Sequence, residues 1–216
     1  MKLCSNAMST YGFTHEFHFF KKNTTDGRRG CFDSHIELFK YAKERNMEYI
    51  CINEDNLIHT ETSIPPNFID NITKVIKEKI WNIIILGGWY IPFTMCEPTT
   101  YSTLYKTTSL HGTSCYIIHK RLYKRILRSY EKHVHEHIDY YLMNEARNKA
   151  YISIPFIFRR NNIIPTTNTY LVNTIVNLYY YVNCSTFMTK VWESYAKYYT
   201  YILFIIIVLL CIYFIR

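Results

Sequence analysis

The chain has 216 residues, of which 49% are hydrophobic and 19% are charged, and its formal net charge is +8 with a pI near 9.0. This composition is too apolar for a disordered chain, and the length suits one substantial domain with an appendage. The basic residues are scattered without a long Lys/Arg tract, so the charge favours a phosphorylated small substrate or an anionic membrane surface, and no nucleic-acid partner is expected.

The amino-terminal residues lack the apolar core that a signal peptide needs, because Ser5 and Asn6 directly follow the first short apolar stretch. Residues 1–12 are predicted to form a short helix, and the alternation in residues 13–19 predicts a half-buried strand. Residues 23–30 are polar and contain glycine, which predicts a loop.

The stretch formed by residues 30–57 is the most informative part of the chain. Apolar residues recur at helical spacing over residues 34–45, and a β-rich run follows at residues 49–52. That run stops at a polar cluster, which consists of Glu54, Asp55 and Asn56. Because ligands of α/β sheets sit at the carboxyl ends of strands, this cluster is the first candidate binding site.

The next stretch alternates between helix and strand patterns. Residues 59–67 are predicted as a loop, and residues 82–86 as a strand that stops at two glycines. Residues 68–80 form an amphipathic helical pattern whose inward positions are Ile69, Ile72, Val75, Ile76 and Ile80. Such alternation indicates an α/β domain.

Three further elements follow before the carboxyl-terminal region. Residues 88–109 are rich in Thr, Tyr and Pro and are predicted to form a long loop that serves as an active-site flap. Residues 111–118 predict a turn and a strand, and residues 120–130 predict a basic helix. The apolar stripe of that helix consists of Leu122, Ile126 and Leu127.

Cysteine and histidine spacing offers weak signals for metal binding. The seven cysteines are spread evenly with no C-x-x-C pair, which argues against a zinc site and a disulfide framework and favours a reducing compartment, although a single buried disulfide remains open. On a strand, His133, His135 and His137 would face one side and could bind zinc. The alternative is an ordinary solvated segment.

The carboxyl-terminal segment carries a membrane signal. Every residue from 202 to 215 is apolar, and a tyrosine-rich group precedes this run. At ~1.5 Å per residue, a helix over residues 198–215 would be about 27 Å long, close to the thickness of a bilayer core. The sequence therefore predicts a single-pass, tail-anchored membrane protein whose globular domain lies in the cytosol, with residues 161–197 as domain edge and connector.

Six motifs occur in an order and at a spacing that are typical of one enzyme family. They are Gly30-Cys31-x-x-Ser34-His35, Glu54-Asp55-Asn56, residues 81–87, residues 112–118, Asp139 before a helix, and residues 151–159. Over residues 13–160 the chain thus resembles glycosyltransferase family 25, the lipooligosaccharide glycosyltransferases and collagen galactosyltransferases.

The resemblance implies a GT-A-like fold, a mixed α/β sheet flanked by helices, which transfers galactose or glucose from a nucleoside diphosphate sugar to a hydroxyl of a glycan, protein or lipid. It implies Mn²⁺ or Mg²⁺ bound by oxygen ligands of Glu54, Asp55 and Asn56, with Asp55 as the leading ligand. Asp139 would position or deprotonate the acceptor hydroxyl. Residues expected to bind the donor are Arg28, Arg29, Ser34, His35, Gly112, Thr113 and Arg159.

Two departures from the family pattern define an alternative function. The first strand of the family is missing from the elements predicted for the domain at residues 1–160, and Asn56 replaces the last carboxylate of the acidic motif. An amide oxygen can still ligate a metal, but one negative charge is lost. The alternative is a catalytically inactive glycosyltransferase-like domain that acts as a membrane-anchored interaction protein.

Overall fold

The computed structural model describes residues 16–20, 25–54, 57–59, 67–78, 80–88, 96–109, 112–154 and 156–160. Within these ranges the chain forms a mixed α/β fold built on a six-stranded sheet. The α/β class predicted from the alternating patterns is therefore confirmed.

The six strands of the main sheet are arranged in the order β1-β6-β3-β7-β5-β4. The pair β3 and β7 is parallel, and the other neighbouring pairs are antiparallel. The carboxyl ends of β1, β3 and β7 consequently meet the amino ends of β6 and β5 at one edge, which we call the carboxyl edge. The strands are β1 (Tyr49–Asn53), β3 (Ile83–Gly87), β4 (Cys96–Pro98), β5 (Leu104–Thr107), β6 (Cys115–His119) and β7 (Ala150–Ser153).

A small second sheet pairs β2 (Leu57–His59) with β8 (Phe158–Arg160) in antiparallel register. It approaches the main sheet at Gly87, where a Cβ atom would lie 2.6 Å from the backbone oxygen of Phe158. Glycine is required at this position because no side chain fits between the two sheets there.

Helices cover both faces of the main sheet. On one face, α1 (Gly27–Glu44), α3 (Lys120–Ser129) and α4 (Ile138–Ala146) pack around a core that includes Phe39 and Tyr123. On the other face, α2 (Phe68–Glu78) packs with the second sheet around Trp81. Burial of these two apolar clusters is the main stabilising contribution to the fold.

Helix α1 begins seven residues earlier than the predicted start at Ser34, and it occupies the end of the predicted loop at residues 23–30. The cause is an amino-terminal cap, because the side chain of Asp26 accepts hydrogen bonds from the backbone N–H groups of Arg28 and Arg29. Such a cap satisfies donors that have no partner inside the helix. It holds the Gly30–His35 motif in a helical conformation.

Several other sequence predictions are wrong in part. Residues 16–20 are exposed and belong to no strand, although a half-buried strand was predicted at residues 13–19. The predicted flap at residues 88–109 contains β4 and β5, which pair into the main sheet. In the region of α2, Ile69 and Ile80 are 41% and 53% exposed rather than inward.

The predicted helix at residues 1–12, the connector at residues 161–197 and the membrane segment at residues 198–215 lie outside the described residues. Among the residues that the structure describes, no helix has the length and apolar character needed to cross a membrane.

Candidate functional site

The acidic motif begins where strand β1 ends, at the carboxyl edge of the main sheet. Glu54 follows Asn53 directly, and its backbone N–H donates to the carbonyl oxygen of Ser114 at 2.9 Å. This hydrogen bond ties the start of the motif to the loop before β6. The other two predicted metal ligands, Asp55 and Asn56, lie outside the described residues, so their role stays a prediction.

The first turns of α1 reach the same edge, because the helix runs antiparallel to the β1 strand that follows it. His35 is 4% exposed, and its Nδ1 lies 2.6 Å from the hydroxyl oxygen of Tyr116 on β6. The hydroxyl of Ser34 donates to the carbonyl oxygen of Gly30 at 2.8 Å, a bond within the helix. The side chains of Ser34 and His35, both predicted to bind the donor, thus each form a hydrogen bond within the protein.

Cys31 joins this region through the helical repeat, since it stands four residues before His35. The structure brings Cys31, His35 and Glu54 together so that one ligand atom of each lies within 4.8 Å of the other two. His35 is buried, whereas Cys31 and Glu54 are half-buried. A thiol, an imidazole and a carboxylate therefore converge where α1 meets the end of β1.

Burial determines the protonation of the two aromatic rings in this region. Desolvation lowers the pKa of His35 to about 4, which keeps its imidazole neutral at neutral pH. Desolvation likewise raises the pKa of Tyr116 well above its ordinary value, and the nearby Cys31 and Glu54 raise it further. The hydrogen bond between His35 and Tyr116 consequently joins a neutral imidazole to a neutral phenol.

The glycine-containing loop before β6 is linked to the start of α4. The backbone N–H of Gly112 donates to Asp139 Oδ2 at 2.9 Å, and Gly112 has a φ of 89°. That φ lies in the region that favours glycine. Because Thr113 and Ser114 are also buried, the loop is fixed at both ends, by Asp139 and by Glu54.

Two of the arginines predicted to bind the donor have intramolecular partners. The Nε atom of Arg29 lies 2.8 Å from both carboxylate oxygens of Asp33, and Arg28 Nε lies 3.9 Å from Asp26 Oδ1. The side chain of Arg159 lies outside the described part of the structure, although its backbone belongs to β8. Phosphate binding by these arginines therefore stays a prediction.

The three alternating histidines do not converge. His133 pairs with Glu136 through Nδ1 and Oε1 at 2.7 Å and stacks on Tyr141, whereas His137 packs edge-on against Tyr140. Among the described residues the histidines form no metal-binding cluster, since the group that could hold an ion consists of Cys31, His35 and Glu54. The segment matches the solvated alternative rather than a zinc site.

Sequence reasoning brought the glycine loop, Asp139 and Glu54 to attention but gave no role to Cys31 or Tyr116. The spacing of four between Cys31 and His35 was an available signal, because such residues share one face of a helix. The contact between His35 and Tyr116 joins residues 81 apart in the chain, and no local sequence pattern predicts such a pair.

Comparison with protein families identifies the chain's family. The family model described as glycosyltransferase family 25 (LPS biosynthesis protein) matches residues 6–143, which include α1, the acidic motif, the glycine loop and Asp139. No curated protein matches the chain.

Proposed function

The chain belongs to glycosyltransferase family 25, and we propose that it transfers a hexose from a nucleoside diphosphate sugar to a hydroxyl acceptor. The assignment supports glycosyltransferase activity; the donor, the sugar and the acceptor are part of the proposal. We further propose that the catalytic domain adopts the GT-A fold and is held at a membrane by residues 198–215, with the domain on the cytosolic side.

One observation carries the proposal: direct hydrogen bonds at the carboxyl edge join three of the six family motifs, which are the acidic motif, residues 112–118 and Asp139. Glu54 bonds to Ser114 through their backbones, and Gly112 bonds to the side chain of Asp139. Residues that are 60 and 27 positions apart in the chain are thus in direct contact at the ends of the strands. Ligands bind at this edge in open α/β sheets.

Glu54 supplies an oxygen ligand of the kind that Mn²⁺ and Mg²⁺ prefer. The donor set therefore fits a hard cation at Glu54, and Asp55 and Asn56 are the proposed further ligands. A divalent cation held there would supply positive charge to stabilise the departing diphosphate.

Hexose transfer requires one bond exchange and one proton transfer. The bond between the anomeric carbon and the diphosphate oxygen breaks, a bond to the acceptor oxygen forms, and the nucleoside diphosphate leaves. We assign Asp139 as the base that takes the proton of the acceptor hydroxyl. Its carboxylate lies at the glycine loop, where its Oδ2 accepts a hydrogen bond from the Gly112 N–H. That hydrogen bond orients the carboxylate before the acceptor arrives.

The test is donor hydrolysis and transfer by the full chain in a non-ionic detergent, with UDP-galactose and UDP-glucose and with Mn²⁺. Metal-dependent release of UDP from either sugar supports the proposal. Absence of turnover together with absence of metal-dependent nucleotide binding would contradict it and would favour the inactive interaction domain. Lys106→Gln is a suitable control, because Lys106 is an exposed residue of β5 outside all the motifs.

A further inference from the structure

The thiol of Cys31 and the imidazole of His35, which converge on Glu54, have no part in the hexose transfer proposed above. Thiol, imidazole and carboxylate are three of the ligand types that bind zinc in proteins. Their ligand atoms all lie within 4.8 Å of one another. We propose that Cys31, His35 and Glu54 bind a zinc ion that joins the first turns of α1 to the carboxyl end of β1.

The backbone holds each of the three residues in place. Cys31 and His35 are one helical turn apart, so their side chains extend from the same face of α1. The first turn of this helix is fixed by the Asp26 cap. Glu54 is fixed from the other side, because its N–H donates to the Ser114 carbonyl at 2.9 Å. The ligands therefore come from two elements whose positions do not depend on the metal.

The imidazole of His35 is oriented for ligation by Tyr116. With Nδ1 in a 2.6 Å hydrogen bond to the tyrosine hydroxyl, Nε2 is the ring nitrogen left to bind a cation. A metal-binding histidine commonly bonds a second protein group through its other nitrogen, which fixes the tautomer and the ring orientation. Burial also lowers the pKa of His35 to about 4, so the ring is in the neutral form that metals require.

The same hydrogen bond argues against a nucleophilic triad. In a Cys-His-carboxylate triad one ring nitrogen faces the thiol and the other faces the carboxylate. Here Tyr116 occupies Nδ1, so a single ring nitrogen is left to serve both Cys31 and Glu54. A single cation can bind all three groups at once, whereas a proton relay would need two ring nitrogens to link the thiol to the carboxylate.

The donor set also selects among metals. Mg²⁺ and Ca²⁺ require oxygen ligands, of which this cluster supplies only the Glu54 carboxylate, whereas thiolate and imidazole ligands suit zinc. Three protein ligands leave the fourth tetrahedral position for water or a substrate atom. The proposal goes beyond hexose transfer, since zinc binding here needs neither donor nor acceptor.

Zinc binding is tested on the full chain in a non-ionic detergent after removal of metals with EDTA. Zinc is titrated against a chromophoric chelator, and Co²⁺ is added in its place so that thiolate ligation appears as a ligand-to-metal charge-transfer band. The key variant is Cys31→Ser. Its matched control is Cys96→Ser, because Cys96 is also half-buried and in no disulfide but lies on β4 at the opposite end of the sheet.

The expected result is one zinc per chain, with a charge-transfer band that is present in C96S and absent from C31S. Zinc affinity should fall by more than about 100-fold in C31S and by about 10-fold in Tyr116→Phe, which removes only the partner of the ligating ring. Binding weaker than about 1 µM in the unaltered chain, or a band that survives in C31S, would overturn the proposal.

A second measurement needs no variant and guards against misfolding of C31S. Zinc should slow alkylation of Cys31 by iodoacetamide, measured by peptide mass spectrometry, while leaving the rate at Cys96 unchanged. Equal rates with and without zinc would also overturn the site. UDP release is assayed on the same preparation with Mn²⁺, so a failure of transfer and a failure of zinc binding are recorded separately.

Discussion

Replacement of Tyr116 by phenylalanine tests whether the buried bond to His35 holds the site together. The variant removes one oxygen from a side chain that is 0% exposed and leaves the Nδ1 of a histidine that is 4% exposed without its partner. A buried polar group that loses its hydrogen bond costs about 1–3 kcal/mol of folding free energy. We therefore expect the free energy of unfolding of Y116F to be lower than that of the unaltered chain by about this amount.

Tyr123→Phe is the matched control, because Tyr123 is equally buried on α3 but its hydroxyl has no hydrogen-bond partner among the described residues. Removing that hydroxyl should leave stability unchanged or raise it, since no bond is lost and the cost of burying an unpaired polar group disappears. The two substitutions delete the same atom, and they differ in whether it is bonded.

The assay is urea denaturation of the full chain at neutral pH with EDTA present, followed by circular dichroism and by tryptophan fluorescence, to which the buried Trp81 contributes. The double variant of Y116F with His35→Leu should lose less than the sum of the single variants, because it removes both ends of one bond. A coupling of about 1–2 kcal/mol is expected. Equal stabilities of Y116F and Y123F, or an additive double variant, would refute the role given to this bond.

Three further predictions follow from the same structure. Gly87→Ala should destabilise the fold by about 1–3 kcal/mol in urea denaturation, because its Cβ would lie 2.6 Å from the Phe158 carbonyl oxygen, and an unchanged midpoint would contradict this packing. Asp139→Asn can still accept the Gly112 N–H but loses its basicity, so transfer should fall by about 10²–10⁴ in kcat with stability nearly unchanged, whereas full activity would reduce Asp139 to a positioning residue. With EDTA present, the free energy of unfolding should fall by up to about 3 kcal/mol as the pH decreases from 6.5 to about 4. In that range the unfolded chain binds a proton at His35 that the folded chain excludes. A His35→Gln variant should show a flatter pH profile over the same range.

The sequence predicted those elements whose signal is local. Strands β1, β3 and β6 and helix α2 each carry a continuous apolar run or a clear helical repeat, and each lies within about two residues of its predicted position. Strands β4 and β5 were missed because they stand at the end of the sheet, are three and four residues long, and contain polar side chains on an exposed face. Strand β5 pairs with β7, some 45 residues away in the chain, and β4 pairs with β5, so their place in the sheet does not follow from their own composition.

The early start of α1 was predictable in principle. Asp26 precedes the helix and is a favourable capping residue, but the two glycines at positions 27 and 30 suggested a loop. The capping bonds to the N–H groups of Arg28 and Arg29 stabilise the first turn and outweigh the low helix propensity of glycine. This difference matters for the site, because it places Cys31 and His35 on one helical face.

The candidate site shows the same division between local and distant information. The acidic motif and the glycine loop were recognised from their own residues, whereas the zinc-type cluster draws on two segments that are 19 residues apart and on Tyr116. The cysteine spacing predicted no zinc site, because a spacing pattern relates cysteines only to one another. A mixed ligand set assembled by the fold leaves no such spacing in the sequence.

Glu54 belongs to both of the proposed metal sites. It is the first residue of the acidic motif and also the carboxylate of the cluster with Cys31 and His35. A carboxylate has two oxygens, so one can ligate zinc while the other faces a hard cation. Because Asn56 removes a negative charge from the motif, binding of the proposed hard cation would depend more strongly on the orientation of the Glu54 carboxylate than it would beside three carboxylates. A zinc ion that fixes this orientation would offset part of the lost affinity, and the proposed metal site on α1 would then support transfer without contacting the sugar.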